Sequence, residues 1–343
     1  MFAGSKKRLL FFALCASLVS AAKSVSQSAE QWRRLPAPEG ASVKALFSNG
    51  DYLFAGTNNG VFRSTDQGQS WKSVNLGEID QIPFITSFTA VGTAVGTAVG
   101  ESIFASSSDW RIFRSTDKGL TWTRVEVPED TTIPVISDIT ALADIGGSLF
   151  AGTECGSRTL IPCGIFRSTD NGKNWTRVGK GVAATSILSL AIIGTELFAG
   201  GGYGAFRSSD LGNTWTKIDV SRDTPYGVRS DISFNAFAAI GKQLFAGTNY
   251  GVFVSTDQGM SWRQINRGLP NLSFSKDGRK QVKSSSEDDM KFVTALAAPG
   301  DTLFAGDKNF GVFRFDSKNQ NWTEAGRRAT PVWTKVTLSA HSQ

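Results

Sequence analysis

Carboxylates, arginines and tyrosines are the residues of this chain whose types could do chemistry, and their spacing decides which chemistry is open. Aspartate recurs in the pattern Ser-x-Asp-x-Gly-x-x-Trp. Five copies are intact: Ser64/Asp66/Gly68/Trp71, Ser115/Asp117/Gly119/Trp122, Ser168/Asp170/Gly172/Trp175, Ser208/Asp210/Gly212/Trp215 and Ser255/Asp257/Gly259/Trp262. A calcium loop needs oxygen ligands at alternating positions, which Asp66-Gln67-Gly68 and its copies do not supply. Arg63, Arg114, Arg167, Arg207 and Arg314 share one repeat position, so they are distributed with the repeat and do not converge on one anion. The one histidine, His341, leaves no set for histidine catalysis or zinc ligation. No metal and no cofactor is expected. Glu101, Glu154, Glu196 and Asp231 stand outside the Asp-x-Gly turns and are the candidates from which a glycosidase's two carboxylates could be drawn. Gly200–Gly204 is glycine-rich but precedes no helix, so it does not read as a phosphate loop.

The elements that position these residues repeat as well. Leu-Phe-Ala-Gly-Thr begins at Leu53 and returns at Leu149, with variants from Ile103, Leu197, Leu244 and Leu303. A second element, Val-Phe-Arg-Ser-Thr-Asp from Val61, returns from Ile112, Ile165, Ala205, Val252 and Val312. Twelve of the 24 phenylalanines fall at two positions of these elements, so the aromatic content is mostly architectural. Within one unit a short apolar strand such as Ile139–Leu142 leads into the first element, a glycine turn leads to the second, the Asp-x-Gly segment turns the chain, and a last strand begins at Trp. Four antiparallel strands recurring every 40–60 residues make a propeller blade. The sequence therefore predicts an all-β chain with one β-propeller of four-stranded antiparallel blades. Six blades are expected, at 43–75, 86–127, 137–179, 186–220, 234–266 and 292–325, with seven as the alternative. The sixth copy has decayed around Asp316 and keeps Trp322. Trp32–Leu35 and Trp333–Val336 resemble orphan last strands that would close the ring as a clasp or build a poor seventh blade.

The octapeptide is the Asp-box, or bacterial neuraminidase repeat. Across residues 43–325 the full hairpin resembles repetitive exported bacterial proteins with sialidase-like propellers. It is also similar to the photosystem II stability/assembly factor family and the sortilin ectodomain. These relatives do unlike things on one scaffold, so the resemblance implies fold more than activity. A sialidase would need an arginine cluster, a tyrosine nucleophile with a Glu partner and an acid. Arg34-Leu35-Pro36 echoes the family's Phe-Arg-Ile-Pro element, but Trp32 places it in frame with an ordinary last strand. None of Tyr52, Tyr203, Tyr226 and Tyr250 lies in the last blade, where the family's nucleophile belongs.

Residues 1–22 read as a signal peptide: Lys6-Lys7-Arg8, an apolar run Leu9–Val19, then Ser20-Ala21-Ala22. An N-terminal segment 23–42 precedes the propeller and a tail or clasp strand, 326–343, follows it. Export, to the periplasm or beyond the cell, is expected, with no membrane span once the leader is cleaved. Removing the leader's three cations from the +6 formal charge leaves +3, too little for a nucleic-acid partner. Cleavage also leaves two of three cysteines, Cys155 and Cys163, which are expected to pair in an oxidising compartment.

Specificity should lie where copies differ. The turns between second and third strands carry Asn58-Asn59, Asp109-Trp110-Arg111, the Cys155–Cys163 loop, Gly202-Tyr203, Asn249-Tyr250 and Asn309-Phe310. Trp110, Tyr203, Tyr250 and Phe310, with Arg111 and Asn249, form the candidate binding set, since aromatic plates beside amide and guanidinium groups suit a sugar or peptide. The expectation is a monomeric, non-catalytic propeller that binds a glycan, peptide or protein partner. A glycoside hydrolase and an assembly factor resembling the photosystem II family are the alternatives. The charged Arg267–Lys291 connection is expected to be a solvated loop.

Overall fold

The computed structural model describes residues 38, 41–49, 52–77, 81–91, 102–109, 111–125, 138–155, 163–179, 182, 186–218, 232–274, 280–283, 292–298, 301–307, 311–325 and 338–339. The leader, Arg34 and both orphan-strand segments lie outside them. Among the described residues no helix is long and apolar enough to cross a membrane.

Six four-stranded blades are formed, as the repeat predicts. Blade 1 is β1 (Val43–Asn49), β2 (Tyr52–Thr57), β3 (Gly60–Ser64) and β4 (Lys72–Ser73). Blade 2 is β5 (Ile85–Val91), β6 (Ser102–Ser107), β7 (Ile112–Ser115) and β8 (Thr123–Arg124). Blade 3 is β9 (Ile139–Ile145), β10 (Ser148–Thr153), β11 (Ile165–Ser168) and β12 (Thr176–Val178). Blade 4 is β13 (Ile187–Ile193), β14 (Glu196–Gly201), β15 (Gly204–Ser208) and β16 (Thr216–Ile218). Blade 5 is β17 (Phe234–Ile240), β18 (Gln243–Thr248), β19 (Gly251–Ser255) and β20 (Arg263–Gln264). A separate hairpin follows, β21 (Asn271–Phe274) with β22 (Lys280–Lys283), so the Arg267–Lys291 connection carries paired strands where a solvated loop is expected. Alternation in Asn271-Leu272-Ser273-Phe274 is the strand signal that its charged surroundings obscure. Blade 6 is β23 (Val293–Ala297), β24 (Phe304–Asp307), β25 (Gly311–Asp316) and β26 (Asn321–Glu324). A last short strand, β27 (Leu338–Ser339), joins blade 1 beside β1.

Each blade pairs its strands antiparallel in chain order. The first strand of every blade carries a β-bulge, at Lys44, Thr86, Thr140, Leu188, Asn235 or Thr294. A bulge re-aims the side chain of its extra residue, and at three of these positions it reaches the next blade. Thr86 Oγ1 donates to the Ile139 carbonyl at 2.6 Å, Thr140 donates to the Ile187 carbonyl, and Asn235 Nδ2 donates to the Val293 carbonyl at 3.0 Å.

The core is divided into clusters between consecutive blades. Phe54 of blade 1 and Phe88 and Trp122 of blade 2 meet at centroid separations of 6.1–6.3 Å, with Trp122 edge-on to both. The box tryptophan thus packs between its own blade and the preceding one.

Asp144 interrupts this apolar pattern. It pairs with Leu149 as Ser48 pairs with Leu53 and Ala90 with Ile103. Burial pushes its carboxyl up to about 7, with partial relief from the Gly147 N–H, and Oδ1 has no hydrogen-bond partner among the described residues. A carboxyl whose folded pKa is raised costs stability wherever it ionises, so the penalty begins near the unfolded pKa and is complete above about 7. Asp144→Ala should therefore stabilise the fold at pH 8 by about 1–2 kcal/mol, discounted for partial solvent contact. The gain should fade as the pH approaches 4, and thermal melts at the two pH values read it.

Candidate functional site

The two ends of the propeller are built differently. At one end sit the Asp-box turns. In the first, Ser64 Oγ accepts the Gly68 N–H at 2.8 Å and donates to Asp66 Oδ1 at 2.8 Å, and Asp66 accepts the Ser70 N–H at 2.8 Å. The same set recurs at Asp117, Asp170, Asp210 and Asp257. Hydrogen bonds from the Ser70, Thr214 and Ser261 hydroxyls, then from backbone, hold Asp66, Asp210 and Asp257 at about 2. These carboxylates are bound into their own turns.

Four box tryptophans, Trp122, Trp175, Trp215 and Trp262, donate Nε1–H to the carbonyl of their box glycine. The residue before that glycine is left-handed in every intact copy: Gln67, Lys118, Asn171, Leu211 and Gln258 have φ of 56–61°. Such backbone persists for ordinary residues only where surrounding bonds enforce it. In the decayed sixth copy Asp316 takes N–H groups from Lys318 and Asn319, and Trp322 Nε1 bonds the Ile265 carbonyl instead.

Four of the five repeat arginines are also bonded near these turns. Arg63 donates to the Lys118 carbonyl at 2.9 Å and lies 4.1 Å from the centroid of the Tyr52 ring. Arg114 binds Ser102 and Arg167 binds Ser148, each over a phenylalanine. Arg207 forms an ion pair with Glu196, its Nε 2.6 Å from Oε2. Glu196 and Tyr52 are thereby committed to the box end. Glu101, Asp231, Tyr226 and Arg34 lie outside the described residues.

The opposite end carries the variable turns and the connections between blades. Asn249 and Tyr250 are placed there but inward, each 8% exposed. Asn249 Oδ1 accepts the Ser233 N–H at 2.8 Å, and Asn58 Oδ1 does the same for Ser42 at 2.5 Å. The Tyr250 carbonyl accepts from Asn266 and Gln264, and its side chain packs in the cluster of Ile232, Phe234 and Phe237. The expected aromatic plate at this position is therefore part of the core, and the amide beside it ties the turn to the incoming connection. Tyr203 is 69% exposed. Trp110 and Phe310 lie outside the described residues.

Sequence reasoning named Arg111 and Glu154 separately but missed Ile82, Phe84 and Asp138, which join them in a group that spans blades 1 to 3. Ile82 and Phe84, on the connection into blade 2, are 62% and 50% exposed. The connection is pinned to the β6–β7 turn: the Phe84 carbonyl accepts the Ser108 N–H at 2.9 Å, and Arg111 Nη1 donates to the Gln81 carbonyl at 3.1 Å. Arg111 Nε also faces Asp109 at 3.4 Å. Next along the rim are Asp138 and Glu154, joined by the Glu154 N–H bonding the Asp138 carbonyl at 3.0 Å. Burial first, then repulsion from Glu154 and Asp109, raises the Asp138 carboxyl above its usual range. Three carboxylates and one guanidinium therefore share a rim with two exposed apolar side chains. Beside them Cys155 and Cys163 form a disulfide with Cα atoms 5.0 Å apart. The signal that could have exposed this group is the apolar Ile82-Pro83-Phe84 inside a connection that has no strand to build.

Comparisons with known proteins agree with the fold. Residues 166–177 match the model of the BNR/Asp-box repeat. No curated protein sequence matches significantly. Among solved structures, similarity extends to the extracellular domain of the putative one-component system BT4673 from B. thetaiotaomicron, at 14% identity and TM-score 0.59 over 90% of this chain. The chain spans only 37% of that protein's length. YCF48 bound to D1 peptide is similar at 14% identity and TM-score 0.55, covering 81% of this chain and 79% of its own. The GH74 xyloglucanase from Xanthomonas campestris is similar at 15% identity and TM-score 0.54, covering 83% of this chain and 47% of its own. Six antiparallel four-stranded blades make the described residues a β-propeller, and one of its recurring box turns matches the BNR/Asp-box repeat.

Proposed function

We propose that this chain is an exported binding propeller that holds a peptide or protein partner on the rim opposite its Asp-box turns. One observation carries the reading: Ile82 and Phe84 stand exposed beside Asp109, Asp138 and Glu154, while the box carboxylates are bound into their own turns and Arg63, Arg114, Arg167 and Arg207 are bonded at the box end. Exposed apolar side chains contiguous with a rim where three carboxylates meet one guanidinium suit a segment that alternates apolar and basic residues. Tyr203 extends the same end, and Trp110, Arg111 and Phe310 belong to the proposed surface by their place in the repeat. A peptide-bound propeller of similar fold, YCF48 with D1 peptide, supports the class of ligand. The leader-like N-terminus and the disulfide support export.

The test uses peptides selected on the protein from a random displayed library. Ile82→Ser with Phe84→Ser should weaken their binding about tenfold or more, as loss of two apolar anchors does. Leu120→Ser with Met260→Ser, equally exposed but on the box turns, should change nothing. Equal losses from both pairs would remove the rim from the reading.

A second reading rests on the same rim. Asp138 with a raised pKa beside Glu154 is the environment that divides acid from base in glycoside hydrolysis, and a GH74 enzyme shares the fold. Release of reducing sugar from xyloglucan or related β-glucans, lost in Asp138→Asn, would replace the binding reading with this one.

A further inference from the structure

The first strands of the blades make the inner ring of the propeller, packed β1 on β5, β5 on β9, β9 on β13, β13 on β17 and β17 on β23. Each carries its bulge near its start, at the end where blades are connected, so the bulge residues ring the axial mouth on the variable side. These residues are Lys44, Thr86, Thr140, Leu188, Asn235 and Thr294. The four uncharged polar ones are all hydrogen-bonded: Thr86, Thr140 and Asn235 to the next blade, and Thr294 to its own blade's Gly306 carbonyl at 3.4 Å. Leu188 is apolar, and Lys44 is the one charge on the ring.

Lys44 also departs from the pattern in its bonding. The carbonyls taken by Thr86, Thr140 and Asn235 belong to Ile139, Ile187 and Val293, each the residue before the next blade's bulge. The matching residue for Lys44 is Ile85, which follows the exposed Phe84. Among the described residues the Lys44 ammonium has neither that hydrogen bond nor an ion pair. The side chain is partly buried, and burial alone lowers its pKa. A partly desolvated cation without a counter-charge is costly, and an anionic ligand group relieves the cost. Two residues further in, Leu46 and Phe47 pair with Leu338 and Ser339 on the axis-facing edge of β1. The added strand narrows the channel beneath Lys44, so a chain entering along the axis meets this lysine above a constriction.

We propose that Lys44 is a carboxylate anchor beside the rim, taking the C-terminal carboxylate of a peptide whose preceding residues lie over Phe84 and Ile82. The inference rests on the binding reading above and adds to it which end of the peptide points at the axis. The probe is a peptide selected on the intact chain from a library displayed with free C-termini, synthesised as the acid and as the amide, with binding read by fluorescence polarisation. The acid should bind the wild-type protein about tenfold or more tighter than the amide, as loss of one charge-assisted contact requires. Lys44→Met keeps the packing of the stem and removes the charge. It should weaken the acid by the same factor and leave the amide unchanged, while Lys44→Arg should retain the preference. If Lys44→Met fails to fold, Lys44→Gln takes its place. Acid and amide binding the wild-type protein alike, or an acid preference that survives Lys44→Met, overturns the proposal. So does a Lys44-dependent loss seen only when an internal Asp or Glu of the peptide is changed to its amide, which would assign the carboxylate to a side chain. Failure of the rim reading is separate and shows as unchanged binding to Ile82→Ser with Phe84→Ser.

Discussion

Trp122→Ala should destabilise the propeller by about 3–5 kcal/mol, the range for removing a fully buried large aromatic. The side chain is 2% exposed and inserts between blades 1 and 2, edge-on to Phe54 and Phe88, with its Nε1–H spent on the Gly119 carbonyl. Truncation would leave a cavity that two independently braced sheets cannot close, because each is fixed by its own ladder. The matched change at Trp71 should cost clearly less, since that ring is only partly buried. Chemical denaturation of the two variants side by side reads the difference, and m should stay constant if the fold is intact.

Gly119→Ala should carry the second large effect. A Cβ at Gly119 would stand 2.1 Å from Phe54 Cε1, a buried ring with no room to withdraw, and the backbone there has φ of +76°. The left-handed backbone alone costs about 1–2 kcal/mol for a residue with a Cβ, and overpacking adds about 1–3 kcal/mol. Gly146→Ala separates the two causes. It has φ of +59° but no atom within 4 Å of the added Cβ, so only the backbone cost should appear. Positive φ is the reason common to the box glycines of all five intact copies, and at Gly119, Gly212 and Gly259 the seat offered to the preceding blade's phenylalanine is a second.

Much of this was legible in the residues. Recurring Phe, Gly and Trp positions announced strands, turns and blade count because each blade must meet the same neighbour in the same way. The inter-blade bonds were not legible, since Thr86, Thr140 and Asn235 differ in type and share only a bulge. Nor did Lys118 or Leu211 signal a left-handed backbone, which the Ser–Asp hydrogen bonds impose on whatever residue stands there.

The binding end was read less well, for a physical reason. A turn aromatic can face solvent or fold inward, and pattern alone does not choose. Tyr250 is drawn in because Asn266 and Gln264 grip its carbonyl and an apolar cluster lies beneath it, whereas Tyr203, on a turn of the same length between Gly202 and Gly204, stays out. Ile82, Phe84 and Asp138 come from connections with no repeat and Glu154 from the one lengthened turn, and their juxtaposition depends on how neighbouring blades are set side by side.

The account's central claim is that repeated positions build the ring and that recognition belongs to the rim where copies differ. An amide-exchange footprint of a library-selected peptide on the intact protein puts this to the test directly. Protection is predicted in 81–84, 107–111 and 152–155, with none in the box segments 115–122, 208–215 and 255–262. A footprint confined to those boxes, or absent from the rim, would contradict it.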